Sequence, residues 1–189
     1  GRHDHPRRDG RAAGARRGPG GGGGGGGGGG NSLQLSVFHT VFFEDQILAR
    51  PGVPVFDRLN GSAAGNAGGR PEHQVQVEGG YNRGALGLRL TANWQSSTFV
   101  AGGTTGTGDL YFSDLTTANL RLFANLGQMQ SLTRATPLFT NTRLTLLVNN
   151  VMNQRQTVRD ANGATPLRLQ PGFVDPQGRV IRLELRKQF

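Results

Sequence analysis

The last eleven residues constrain the fold most tightly. From Arg179 to Phe189, Ile181, Leu183, Leu185, Lys187 and Phe189 alternate with Arg182, Glu184, Arg186 and Gln188. Successive side chains of an extended chain point to opposite faces, so this period of two predicts a β-strand with one mostly apolar face and one fully polar face. A helix would scatter Arg182, Glu184 and Arg186 around its circumference. On this stretch alone, an edge strand of a soluble sheet and a strand whose apolar face meets lipid fit equally well.

The same period recurs upstream. Leu33, Leu35, Val37, Val41 and Phe43 alternate with Gln34, Ser36 and Thr40 in a first strand that is expected to reach about Ala49; Phe38 and Phe42 interrupt its polar face. A second strand is expected over Glu72–Tyr81 and a third from Ala85 to about Ser97, joined by Asn82-Arg83-Gly84, whose Asn and Gly suit positive φ. A fourth is expected from about Leu110 to Leu126, with Phe123 out of register. The fifth covers Phe139–Val151 and the sixth is the terminal strand. No helix is expected. The predicted class is all-β, an antiparallel up-and-down series of about six strands. Several are long enough for the roughly 9–11 residues of a tilted transmembrane strand.

Composition separates this region from what precedes it. Residues 1–18 carry six arginines and no large apolar side chain, and Gly20 to Gly30 are eleven consecutive glycines. Such a segment buries nothing to offset its ordering entropy, so 1–30 is expected to be a disordered Arg/Gly-rich arm and 31–189 the folding part. The net charge of +9 is carried by 20 Arg and one Lys. A basic balance suggests nucleic acid or anionic lipid as a partner. The arm, however, lacks Arg-Gly-Gly triplets interleaved with aromatics, so no nucleic-acid partner is expected. Absence of Cys excludes disulfides, thiol nucleophiles and thiolate metal sites. No run of 18 apolar residues and no secretory h-region occurs; neither excludes barrel strands, whose alternation averages out in hydropathy.

The connections differ in length. Those at 50–71, 98–109 and 152–178 are mostly long, 82–84 is short, and 127–138 is intermediate. Long loops on one rim and shorter turns on the other are how outer-membrane barrels are built.

The C-terminal third resembles the end of a TonB-dependent outer-membrane receptor. The resemblance is carried by Leu144 to Asn153 with its Asn149-Asn150 turn, by Val158 to Pro166, by Gln170 to Arg179, and by a last strand closing on Phe189. His39-Thr40 through Gly52 and Asn93-Trp94-Gln95-Ser96 are also similar. It implies that the six strands are the last of a transmembrane β-barrel, incomplete in this chain. It further implies residence in the cell outer membrane and uptake of a scarce small ligand. Implied partners are the lipid bilayer, the barrel-assembly machinery that reads Ile181, Leu183, Leu185 and Phe189, and TonB, reached through plug and contact regions outside this chain. Lys187 departs from the family pattern, which usually has an apolar or aromatic residue there. The expectation is therefore a fragment of a longer protein.

Within that frame Arg89, Asn93, Asn119, Arg121, Arg143 and Arg182 are candidate lumen-lining residues, and Trp94, Phe99, Tyr111 and Phe112 candidate interfacial aromatics. No catalytic constellation is present: there is no Gly-x-Ser-x-Gly elbow and no framed carboxylate pair. Gly102–Gly108 lacks the lysine and helix of a phosphate loop. His3-Asp4-His5 offers too few fixed ligands for a metal. Asp160 and Asp175 are expected to be turn residues. The chain is expected to be a non-enzyme without cofactor. The alternatives are a porin-like or structural barrel without energised transport, and a soluble β domain with a nucleic-acid-binding arm.

Overall fold

The computed structural model describes residues 31–48, 50–63, 68–102 and 108–189. The arm 1–30, with His3-Asp4-His5, and most of the Gly102–Gly108 loop lie outside them. The alternating segments form strands: β1 (Ser32–Val41), β2 (Gln46–Ile47), β3 (Phe56–Asp57), β4 (His73–Arg83), β5 (Leu86–Gln95), β6 (Thr98–Val100), β7 (Leu110–Phe112), β8 (Leu115–Asn125), β9 (Thr142–Asn149), β10 (Val158–Asp160) and β11 (Val180–Lys187). Six of them make one antiparallel sheet in the order β1-β4-β5-β8-β9-β11, so each long strand pairs with the next in the chain. Among the described residues β1 and β11 each have one neighbour, and the sheet does not close on itself.

The antiparallel meander puts alternate connections on one rim. The rim joining β1 to β4, β5 to β8 and β9 to β11 carries all the remaining short strands. There β2 and β3 form a small hairpin, and β10-β7-β6 form a second, three-stranded sheet. The opposite rim has only the tight β4–β5 turn and the 126–141 connection. That tight turn is centred on Gly84-Ala85, one step later than expected, because Arg83 still pairs with Leu86. Gly84 takes φ +55, which a side chain would resist.

Three expectations on the elements are corrected. The first strand stops at Val41 rather than near Ala49. The amide of Phe42 still donates to the Glu72 carbonyl, and the chain then leaves to build β2 against β3. Asp45 anchors that detour by pairing with Arg70 at 2.6 Å and Arg58 at 3.6 Å. The expected fourth strand is two. Ser113 and Asp114 interrupt it, because the Ser113 amide donates to the Thr157 carbonyl and turns Leu110–Phe112 into the other sheet. Short helices do occur, α1 at Gln130–Ala135 and α2 at Pro171–Val174, each in a connection. Asp160 and Asp175 are turn residues: the Asp160 carboxylate accepts the amides of Asn162 and Ala164, and that of Asp175 accepts the amide of Gly178.

Candidate functional site

Residues directly opposite one another in an antiparallel ladder project to the same face. The register therefore sorts every strand of the large sheet into two faces. One face takes Leu33, Leu35 and Val37 of β1; Val75, Val77 and Tyr81 of β4; and Leu88, Leu90, Ala92 and Trp94 of β5. It continues through Ala118, Leu120 and Leu122 of β8, Leu144, Leu146 and Val148 of β9, and Ile181, Leu183 and Leu185 of β11. This face is apolar across all six strands, and nothing in the described structure covers it. At its two edges exposure is extreme: Leu33 is 81% exposed and Leu185 69%. Between Tyr81, Leu86, Leu88, Leu122 and Leu144 it holds an open depression of about 520 Å³.

The other face is polar. Arg89, Asn93, Asn119, Arg121, Arg143 and Arg182, singled out in the sequence, all project from it. One row across the strands reads Gln34, Gly80, Arg89, Arg121, Leu147, Arg182. Arg89 lies across Gly80, where a Cβ would collide with the guanidinium; glycine leaves the room. The next row, one step nearer the tight turn, holds Phe123 and Glu184. Phe123, out of register in the sequence, folds over Gly87 on this polar face, and the Arg143 guanidinium sits 4.3 Å above its ring. Arg182 and Glu184 form a loose pair at 3.9 Å. Glu78 accepts a hydrogen bond from Gln76 at 2.6 Å.

Charge is segregated along the strands. Toward the tight-turn rim the polar face carries Arg89, Arg121, Arg143, Arg182 and Arg186 against Glu184. Toward the long-loop rim it carries Gln74, Gln76, Asn93, Gln95 and Thr117 with Phe38, which line a cavity of about 270 Å³. Asn119 lies between the two, and its side-chain oxygen accepts the Asn150 amide at 2.9 Å, tying β8 to the turn after β9. Arg186, on the polar face by parity with Arg182 but not among the lumen-lining candidates, belongs with them.

The four candidate interfacial aromatics lie near the long-loop rim. Trp94 is half-buried at the long-loop end of β5, and its indole N–H donates to Asp114 at 3.3 Å. Phe99 and Tyr111 pair across β6 and β7 with centroids 5.2 Å apart. Phe112 departs from the group. It is 4% exposed, opposite the fully buried Val158 and against the backbone of Gly68, so it belongs to the interior of the loop sheet.

Ile181, Leu183 and Leu185 share the apolar face with Lys187, and Phe189 is fully exposed beyond the strand. Lys187 reaches back to the rim: Nζ donates to the carbonyls of Leu138 at 2.5 Å and Thr140 at 3.2 Å, and lies 5.5 Å from the Phe189 ring centroid. The stem thus follows the apolar face while the charge finds backbone oxygens at its end.

His39 and His73 contact at 3.3 Å on the apolar face near the long-loop rim. Among the described residues no group of three His, Cys, Asp or Glu is placed to hold a metal ion. No helix of the described structure is long and apolar enough to cross a membrane, which says nothing of strands. No family model, curated protein or solved structure matches this chain.

Proposed function

We propose that this chain supplies the C-terminal strands of an outer-membrane β-barrel of the TonB-dependent transporter type. The observation that carries the reading is the segregation of the six-stranded sheet into a predominantly apolar face without cover among the described residues and a predominantly polar face with arginines and amides. In water, leaving a Leu or Ile side chain exposed forfeits about 1.5–3 kcal/mol relative to burial. An apolar face running the full width of a sheet is what a barrel presents to lipid, with the polar face turned to the lumen.

The lengths of four of the six strands agree with this, while β9 and β11 are shorter, at 8 residues each. β1, β4, β5 and β8 have 10, 11, 10 and 11 residues, which matches the roughly 9–11 of a tilted strand crossing the hydrocarbon layer. The folded loops of the long rim would then face outward, and the Gly84-Ala85 turn and the 126–141 connection would face the periplasm. In lipid, the free sides of β1 and β11 must be paired, because each unsatisfied backbone group there costs several kcal/mol. Further strands of the same barrel are the proposed partners. The step from barrel to energised receptor rests on the resemblance of Leu144–Asn153 and the segment through Phe189. In that role the outer loops capture a small ligand, and a plug passes it through the arginine-lined lumen.

The test is fractionation of the native protein from its source cells with an antibody to the described region. Recovery in the outer membrane, as a band whose gel mobility shifts on boiling, supports the barrel. Recovery in a soluble fraction overturns it. The mass of that band, with peptide sequencing of its N-terminal portion, addresses the finer step. A plug-like domain with a TonB-contacting segment supports energised transport, whereas a mass filled by barrel strands alone assigns a passive pore.

A further inference from the structure

We propose that the pocket between Arg143 and Arg186, at the tight-turn end of the polar face, binds an oxyanion. The β9–β11 register sets these two arginines directly opposite each other on one face. Like charges in that position are destabilising unless something lies between or above them. Among the described residues no carboxylate is within salt-bridge distance of either; the acid nearest in register, Glu184, is engaged with Arg182 at 3.9 Å. The Arg143 Nε is buried without a hydrogen-bond partner, and its guanidinium is held in place by the Phe123 ring beneath it. Its position is thus fixed by packing rather than by an anionic partner.

The surroundings suit an anion. A cavity of about 330 Å³ opens here, and besides the two arginines Asn125, Gln128, Asn141 and Gln188 line it. That lining supplies guanidinium and amide donors and contains no carboxylate. Guanidinium groups present forked N–H donors that match the oxygens of a phosphate or carboxylate. The other cross-strand arginine pair, Arg89 and Arg121, is exposed and lines no comparable cavity together, which is why the site is assigned to Arg143 and Arg186. Arg186 is exposed and free to close over a bound group, while Arg143 is half-buried and preset.

The pocket is built by β8, β9, β11 with the Gln188 that follows it, and the 126–141 connection, so the inference stands independently of the barrel. Failure to find the protein in the outer membrane would leave it intact.

The experiment is side-chain NMR of the whole native protein, in the detergent or aqueous buffer from which it is recovered folded, with arginine labelled at nitrogen. The chain is titrated with inorganic phosphate and, separately, with acetate, against sodium chloride at matched ionic strength. The expected result is a saturable shift of the Arg143 and Arg186 Nε–H signals in roughly the millimolar range, absent at the loop residue Arg168. Arg186→Gln should weaken binding by about tenfold or more, and Arg186→Lys by less, since charge is kept but the fork is lost. Tighter phosphate binding assigns a phosphorylated ligand to the site; tighter acetate binding assigns a carboxylate. A shift that chloride reproduces, no saturation with either anion, or unchanged saturation in Arg186→Gln would overturn the proposal. Strand content by circular dichroism verifies that each variant is folded, and in the wild-type chain the titration decides alone.

Discussion

The two ends of this molecule solve burial in opposite ways. At the long-loop rim, short pieces from three connections converge on an interior. Val158 is fully buried, Phe112 nearly so, and Gly61 in one loop forms a bridge with Val100 in another. In the large sheet, strands of 8 to 11 residues leave their apolar face half-buried at best, and at its edges Leu33, Ile181 and Leu183 are 81%, 66% and 67% exposed. Apolar side chains are common to both regions. What differs is where their cover comes from. The loop sheet carries its own, whereas no described residue covers the apolar face of the large sheet, and under the proposed barrel reading that cover is lipid.

The sharpest way to break this comparison is Phe112→Ala. Truncating a buried aromatic costs about 3–5 kcal/mol. If the rim is self-covered, limited proteolysis should cut the 96–114 and 150–164 segments while β4, β5, β8, β9 and β11 stay protected. Loss of protection throughout would show that the two regions share one core. The next is Leu183→Arg. A charge on a lipid-facing strand position costs about 2–4 kcal/mol near the bilayer midplane. If the barrel reading holds, urea unfolding of the protein in lipid vesicles should shift accordingly, and an unchanged midpoint would remove lipid as the cover of this face.

The smallest expected effect is a pH response confined to the rim. The Asp57 carboxyl is held below its ordinary range, first by the Asn60 side-chain amide at 2.8 Å and then by the amides of Leu59 and Asn60. A carboxylate with a lowered folded-state pKa contributes order that is complete above its unfolded value and is lost as pH falls through the folded one. Amide exchange of Leu59 and Asn60, corrected for intrinsic rates, should therefore lose protection at acidic pH below the usual carboxylate range, with β4 and β5 unaffected. Equal acid loss in the strands would contradict a separate rim.

The comparison also explains what was legible in the sequence. Period-two alternation is a local signal. It located β4, β5, β9 and β11 to within a few residues and assigned the six polar-face candidates to one face. It failed where a distant partner decides. Leu110-Tyr111-Phe112 is an apolar run that reads as continuous with the strand after it, yet Arg159 and Val158, nearly fifty residues on, draw it into another sheet. Phe42 to Leu48 carries apolar residues enough to continue β1, but Asp45 is fixed by Arg58 and Arg70 from the following loop. Phe123 looked like an error in the pattern because its meaning lies in Gly87 across the ladder and Arg143 on the next strand. Period two put Arg186 on the polar face, but only the β9–β11 register sets it beside Arg143.

The strictly sequential order of the large sheet has a consequence for how such a wall forms and changes. Each ladder joins neighbours in the chain, so the sheet can grow one hairpin at a time, with loop-closure entropy met locally at every step. Each added hairpin buries one edge and exposes another of the same kind. Nothing in the sheet itself therefore fixes how many strands it has. Gain or loss of a hairpin at an edge leaves the remaining registers untouched, which makes the hairpin the natural increment for altering the width of the wall.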